Sequence, residues 1–276
     1  MNPAEIDDLE LDLFVEALRR RHGYDFSGYV RASLKRRVQA LQAISGARTV
    51  SHLTERVLHE PAFVEQVIER LSVPVSEMFR TPSLFRLLRE EVVPVLASWP
   101  RITIWQAGCA HGEEVYSLAI LLSECGLYDR CRIHATDFSE AALARAREGI
   151  YPLREARLYS ENYLKAGGTG TLSDWYVAAY QHIKLDDRLK ANISFSHHNL
   201  VADGAFAEMQ LILCRNVLIY FERGLQDRVI ELFRGSLARR GFLCLGSKES
   251  LAFSSLASEF ETVAPGHSLY RLRHVR

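Results

Sequence analysis

The residues best suited to chemistry sit at the ends of short apolar runs. Ile102 to Ala107 leads into Gly108-Cys109-Ala110-His111-Gly112, and Glu113 and Glu114 then open a helical pattern. A glycine-bearing turn between a first strand and a first helix lets the backbone approach a ligand, and open α/β sheets bind nucleotides there. A phosphate at this helix start would meet two carboxylates, so the pair favours a ligand with hydroxyls or a positive charge. As ordinary first-turn acids, Glu113 and Glu114 need no ligand at all. Asp137 closes the next run, where an acid can accept hydrogen bonds from ribose hydroxyls or simply cap the following helix, a task Ser139 can share. Further on, polar Arg215 and Asn216 interrupt the apolar run Cys214 to Tyr220, and polar side chains at the carboxyl end of a central strand face the ligand crevice. The structural alternative is that Asn216 caps a turn and Tyr220 packs. His197 and His198 are adjacent on a short strand and point to opposite faces, so no metal site is expected.

The elements that must position these residues fall in two halves. From residue 9 to about 72 apolar residues recur at helical spacing: Leu9, Leu13 and Ala17, then Phe26, Val30, Leu34, Val38 and Leu41, later Phe63, Val67 and Leu71. Gly23, after Arg19-Arg20-Arg21-His22, has the placing of a helix-ending residue. The spacing predicts an all-helical amino-terminal domain over residues 1–73. After Pro74, β-rich runs alternate with helical ones, the pattern of parallel βαβ units. Strands are expected at Ile102 to Ala107, Arg132 to Thr136, Ile193 to Ser196, Met209 to Cys214 and Phe242 to Leu245, with a last hairpin around Phe260 to Val263 and Ser268 to Leu272. Helices are expected at Glu113 to Cys125, Glu140 to Glu148 and Gly224 to Arg234. Between about 152 and 191 the alternation fails around Gly167-Gly168-Thr169-Gly170, and a small inserted β unit is expected within a second domain spanning 74–276.

Composition narrows the function classes. The 276 residues are 48% apolar and carry 34 basic and 34 acidic side chains, so no whole-molecule field points to nucleic acid or an anionic membrane. The longest charge-free stretch, Ala191 to Ala202, is too short to span a bilayer, and the acid-rich start argues against a secretory signal. Cys109, Cys125, Cys131, Cys214 and Cys244 show no metal-ligand spacing and read as reduced thiols of a cytoplasmic protein.

Trp105-Gln106-Ala107-Gly108-Cys109-Ala110-His111-Gly112-Glu113-Glu114-Val115-Tyr116-Ser117, Ala135-Thr136-Asp137, Gly149-Ile150-Tyr151, His198-Asn199-Leu200, Cys214 to Phe221 and Leu245 to Leu251 resemble, in order, the signature blocks of the CheR-type chemotaxis receptor methyltransferases. The resemblance covers about residues 10 to 272. It implies an α/β fold, a class I (Rossmann-like) methyltransferase sheet with a helical amino-terminal domain and an inserted β-subdomain. It implies S-adenosyl-L-methionine as cofactor, S-adenosyl-L-homocysteine as product, and O-methylation of glutamates on a chemoreceptor-like helical protein, with neither nucleic acid nor membrane insertion. By motif it assigns Arg80 and Tyr220 to catalysis. Ser76, Arg80, Ala107, Gly108, Glu113, Asp137, Asn199, Leu200, Arg215 and Asn216 are assigned to the cofactor. Pro74, Ser76, Met78, His111, Val115 and Lys248 depart from the usual pattern, which leaves open a second reading as a regulatory module that binds the cofactor or its product.

Between Arg19 and Arg48 there are eight basic residues against one acid, in a chain of zero net charge. Arg31 and Lys35 lie one helical turn apart, and Arg36 and Arg37 are expected to broaden the stripe away from the apolar face. A charge run is often just a solvated face. With the resemblance it becomes a docking surface for glutamate-bearing receptor helices, formed by Arg31, Lys35, Arg36 and Arg37.

Overall fold

The computed structural model describes residues 1–72 and 74–273. The chain forms two compact units, Met1–Val73 with Ile219–Val229, and Pro74–Leu218 with Ile230–Arg276. A split at 73/74 alone therefore misses the return of Ile219–Val229 to the first unit.

The first unit is built on α1 (Pro3–His22), α2 (Arg31–Ser45), α3 (Val50–His59) and α4 (Pro61–Ser72). Asn2 and Glu5 form a reciprocal capping box at the start of α1, and Pro3 occupies the first helical position, where its missing N–H costs nothing. Gly23 ends the helix at φ 79°, donating its N–H to the Arg19 carbonyl, behind a basic last turn that favours the helix dipole. Residues Tyr29 and Phe221 pair as an isolated antiparallel bridge, flanked by hydrogen bonds from Val30 N–H to the Tyr220 carbonyl (2.9 Å) and from Glu222 N–H to the Gly28 carbonyl (2.7 Å).

The core face of α1 is not the expected one. Leu9 and Leu13 are 47% and 52% exposed, whereas Leu11, Phe14 and Leu18 are buried. The helix has apolar residues on two opposite faces, and periodicity alone cannot say which one meets the neighbouring helices.

The second unit begins with α5 (Pro82–Leu87), a π-helical turn (Leu88–Val92) and α6 (Val93–Leu96), none of which the β/α alternation had suggested. There follow β1 (Ile102–Ala107), α7 (Glu113–Glu124), β2 (Cys131–Asp137), α8 (Glu140–Glu148), β3 (Ile150–Pro152), α9 (Ala156–Lys165), β4 (Tyr176–Ala179), β5 (His182–Leu185), β6 (Ile193–His197) and β7 (Met209–Cys214). Then come α10 (Arg223–Ser236), which starts inside the segment belonging to the first unit, and β8 (Leu237–Leu245), β9 (Phe260–Thr262) and β10 (Leu269–Leu272).

The main sheet has seven strands in the order β6-β2-β1-β7-β8-β10-β9, parallel except for β10, which runs antiparallel to both neighbours. Every residue of β7 is buried, as both faces of an internal parallel strand must be, and this made the run legible as continuous apolar sequence. The order of winding reverses between β1 and β7, so the ligand crevice of such a sheet lies beyond the carboxyl ends of these two strands.

The inserted stretch holds a second, antiparallel sheet, β3-β5-β4, as expected, but it also holds the helix α9. Ala156, Tyr159 and Tyr163 form its buried stripe at helical spacing, ahead of the glycine cluster around which the β unit was expected. Four cysteines are buried and Cys125 is half-buried, with no disulfide among the described residues. No helix of the described residues is long and apolar enough to cross a membrane.

Truncating the buried face of α1 should cost far more than truncating the exposed one. Phe14→Ala is expected to lower the unfolding free energy by about 3–5 kcal/mol, and Leu13→Ala by less than about 0.5 kcal/mol. Urea titration checks this, and equal losses would place Leu13 in the core.

Candidate active site

Five strand ends line up in sheet order. The turn after β1 is fixed by Gly108 and Cys109, whose N–H groups donate to the Thr136 carbonyl of β2 at 2.8 and 2.9 Å. Gly108 has φ +72°, and a Cβ there would lie 2.5 Å from the Val217 side chain, so glycine is required on both counts. Asp137, at the end of β2, accepts the N–H of Ala110 (2.9 Å) and of Ser139 (3.0 Å). Burial pushes its carboxyl pKa up, against the pull of these backbone donors. Each of its oxygens has a further lone pair, so holding the turn does not exclude a ligand hydroxyl. Next to it, His198 N–H donates to the Asp137 carbonyl at 3.1 Å, which brings Asn199 and Leu200 alongside. Asn199 uses its side-chain oxygen for a local turn, accepting the Val201 N–H at 2.9 Å.

On the other side of β1, Asn216 follows β7 in a left-handed conformation, φ 62°, which Asn tolerates better than most residues. Its N–H donates to Oε2 of Glu249 (2.9 Å), and the same oxygen accepts the N–H of Gly246 at the end of β8. Glu249 thus ties two strand ends together, a role not read from the sequence. The signal present was a glycine three residues before a buried acid.

The two acids of α7 have different environments. Glu114 is fully engaged: Oε1 accepts from Gln106 Nε2 at 2.9 Å, and Oε2 pairs with the Arg215 guanidinium. Glu113 is buried, and its Oε2 has no hydrogen-bond partner among the described residues. Burial pushes the Glu113 carboxyl up to about 7, and the neighbouring Glu114 charge adds to this. Burial also raises the Cys109 thiol far above its usual range, so the turn supplies no thiolate nucleophile.

Arg215 does not point outward as the strand-end reading suggested. It is 7% exposed, and besides Glu114 it donates to the Arg80 carbonyl (3.1 Å) and to Thr81 Oγ1 (3.0 Å). Burial opposes its charge, and Glu114 more than offsets that, so the pKa moves up. The turn it holds is strained: Phe79 and Thr81 have φ 53° and 62°, a conformation that costs about 1–3 kcal/mol per non-glycine residue. Phe79 N–H donates to Ser117 Oγ (2.8 Å), which fixes a third point. Arg80 itself is half-buried, and its guanidinium makes no ion pair with any described residue. Ser76 is half-buried in the segment leading to this turn.

The remaining expected site residues belong to the first unit. Tyr220 lies under the Arg37 guanidinium, 4.3 Å from ring centroid to Cζ. Its expected place beside a transferred methyl rests on the resemblance alone. Arg37 is not part of an exposed stripe: it is buried, donating to the Leu71 carbonyl and to Ser33 Oγ at 3.0 Å. Arg31 and Lys35 are exposed or half-buried but already paired, Arg31 with Asp12 and Lys35 with Asp8 at 2.7 Å. Of the four expected docking residues, only Arg36 is exposed without such a partner among the described residues. The acids of α1 neutralise this stripe, which a count restricted to residues 19–48 could not register. Buried His198 makes its contact with the Gly204 carbonyl (3.1 Å) and packs edge-on against Trp105.

The model of the family described as "CheR methyltransferase, SAM binding domain" matches residues 74–265, and that described as "CheR methyltransferase, all-alpha domain" matches residues 9–72. A Pseudomonas putida protein that bears a methyltransferase name, Cher3, is 48% identical over 96% of this chain and 97% of its own length. The chemotaxis protein methyltransferase of Listeria innocua is 29% identical over 89% of this chain and 92% of its own. The chemotaxis protein methyltransferase 1 of Vibrio cholerae is 32% identical over 71% of each chain.

These residues fit an S-adenosyl group. Glu113 offers a buried acceptor without a partner, Asp137 has spare acceptor capacity, and no phosphate needs accommodating beside these acids. Glu113, Asp137 and the Gly108 turn are the residues that would hold it.

The raised Glu113 pKa gives a stability signature in the ligand-free protein. The folded state favours the protonated carboxyl, so this contribution is complete below about pH 4.5 and is lost as pH rises through about 7, by up to ~3 kcal/mol. Glu113→Gln should remove that loss. Its unfolding free energy relative to wild type should rise between pH 5 and pH 8, and a flat difference would contradict the assignment.

Proposed function

The chain belongs to the CheR methyltransferase family, and from that premise we propose that it esterifies glutamate side chains on a chemoreceptor-like signalling protein in the cytoplasm. Its methyl donor is S-adenosylmethionine, which leaves as S-adenosylhomocysteine. The cofactor supplies an electrophilic methyl on a sulfonium. A glutamate carboxylate, with an unperturbed pKa of about 4.3, is already ionised near neutral pH and needs no general base. What the protein must supply is orientation of the acceptor and exclusion of water.

The observation that carries this reading is Arg80. It stands on a turn clamped at both the Phe79 N–H and the Arg80 carbonyl, the former held by Ser117, one helical turn after Glu113 on α7, and its guanidinium makes no ion pair with any described acid. An arginine fork so held is suited to orient an acceptor carboxylate in two-point fashion. The names of the Listeria and Vibrio relatives support a chemotaxis receptor as the acceptor's source. Arg36 is the residue of the basic helix we retain for docking.

Labelled methyl transfer to a receptor cytoplasmic fragment tests the reading. The product should be a carboxyl ester that releases methanol in base, and Arg80→Ala should lower kcat on the order of a hundredfold. Binding of S-adenosylhomocysteine with no transfer to any receptor fragment would instead favour a regulatory module.

A further inference from the structure

We infer that Asn162, on the helix of the inserted unit, is a positioning residue for Arg80. This rests on the reading of Arg80 given above and extends it to a residue of the inserted unit.

The inserted unit reaches the Arg80 turn through α9. Asn162 is buried and its Nδ2 donates to the Met78 carbonyl at 3.1 Å, two residues before Arg80, with Glu77 Oε1 at 3.4 Å. Its neighbour Tyr163 sets its ring edge-on against Phe79, centroids 5.3 Å apart, and Phe79 packs likewise on Phe85 of α5. Tyr163 is itself held: its hydroxyl donates to Glu124 and accepts the Gly170 N–H at 3.0 Å. The amide and ring of one helical turn thus hold the carbonyl before Phe79 and the side chain of Phe79.

Left-handed conformations at Phe79 and Thr81 persist only where the surroundings over-determine them. Arg215, after β7, holds the Arg80 carbonyl and Thr81, and Ser117, on α7, holds the Phe79 N–H. Asn162 supplies the one described side-chain hydrogen bond to the backbone of Met78, so without it α9 holds the turn only through the packing of the Tyr163 ring on Phe79. A neutral amide donating to a buried carbonyl cannot be replaced by a carboxylate, which has no donor to offer.

The test compares Asn162→Ala and Asn162→Asp with Glu161→Ala, an exposed neighbour paired with Arg157. Amide hydrogen exchange is read at Phe79 and, as a check on the fold, in β7. Exchange at Phe79 should rise roughly tenfold in both Asn162 variants, the scale of one net hydrogen bond, with β7 and the Glu161 variant unchanged. In turnover on a receptor fragment, kcat should fall, and Arg80→Ala/Asn162→Ala should be no slower than Arg80→Ala. Unchanged Phe79 exchange, or additive losses in the double variant, would overturn the proposal. Should wild type methylate no receptor fragment, the reading of the acceptor fails, and Phe79 exchange alone still decides whether Asn162 holds the turn.

Discussion

Everything in the candidate site depends on how two buried charges are satisfied. Glu114 and Arg215 are 6% and 7% exposed, and neither would tolerate that environment alone, since the penalty for an unpaired buried ion is several kcal/mol. Their pairing determines the geometry around them. Glu114 spends its other oxygen on Gln106 of β1, and the two terminal nitrogens of Arg215 reach the Arg80 carbonyl and Thr81 Oγ1, while its buried Nε has no partner among the described residues. One ion pair thus joins the end of β7, the start of α7, the middle of the sheet and the strained turn before α5. A hydrophobic replacement could fill the space, but it could not hold a carbonyl and a hydroxyl in that turn.

The strand ends add a second constraint of the same kind. Asp137 and Glu249 are carboxylates at sheet ends, and each collects backbone N–H groups that would otherwise be buried without acceptors. Asp137 shapes the turn after β1 and Glu249 the turn after β7. Between them the chain runs close enough that a Cβ on Gly108 would overlap Val217. The turns at the carboxyl ends of β1 and β7 are therefore backbone held in fixed conformations, and Glu113 Oε2 is a buried acceptor with no partner among the described residues.

Much of this was legible in the residues. Buried parallel strands read as continuous apolar runs, so β1 and β7 were placed to the residue, and Arg215 and Asn216 stood out because they broke one such run. What could not be read was direction. A polar residue after a strand faces either the crevice or a buried partner, and only three-dimensional proximity of Glu114 decides for Arg215. The same ambiguity hid the true core face of α1, where Leu11 and Phe14 compete with Leu9 and Leu13, and the burial of Arg37. Helix α9 was missed because the whole stretch was assigned from its glycine cluster rather than from the helical spacing of Ala156, Tyr159 and Tyr163, and Asn162 carried no signal, since its partner is a backbone carbonyl more than eighty residues away.

The most direct test of this account is a double-mutant cycle on the buried pair, Glu114→Gln and Arg215→Met, read as unfolding free energies. Each single change should cost about 3–5 kcal/mol because it strands the opposite charge. The double variant should cost clearly less than the sum of the two, a coupling of at least ~2 kcal/mol. Additive losses would mean that the two charges are satisfied independently, and would contradict the pair as the constraint that sets the Arg80 turn.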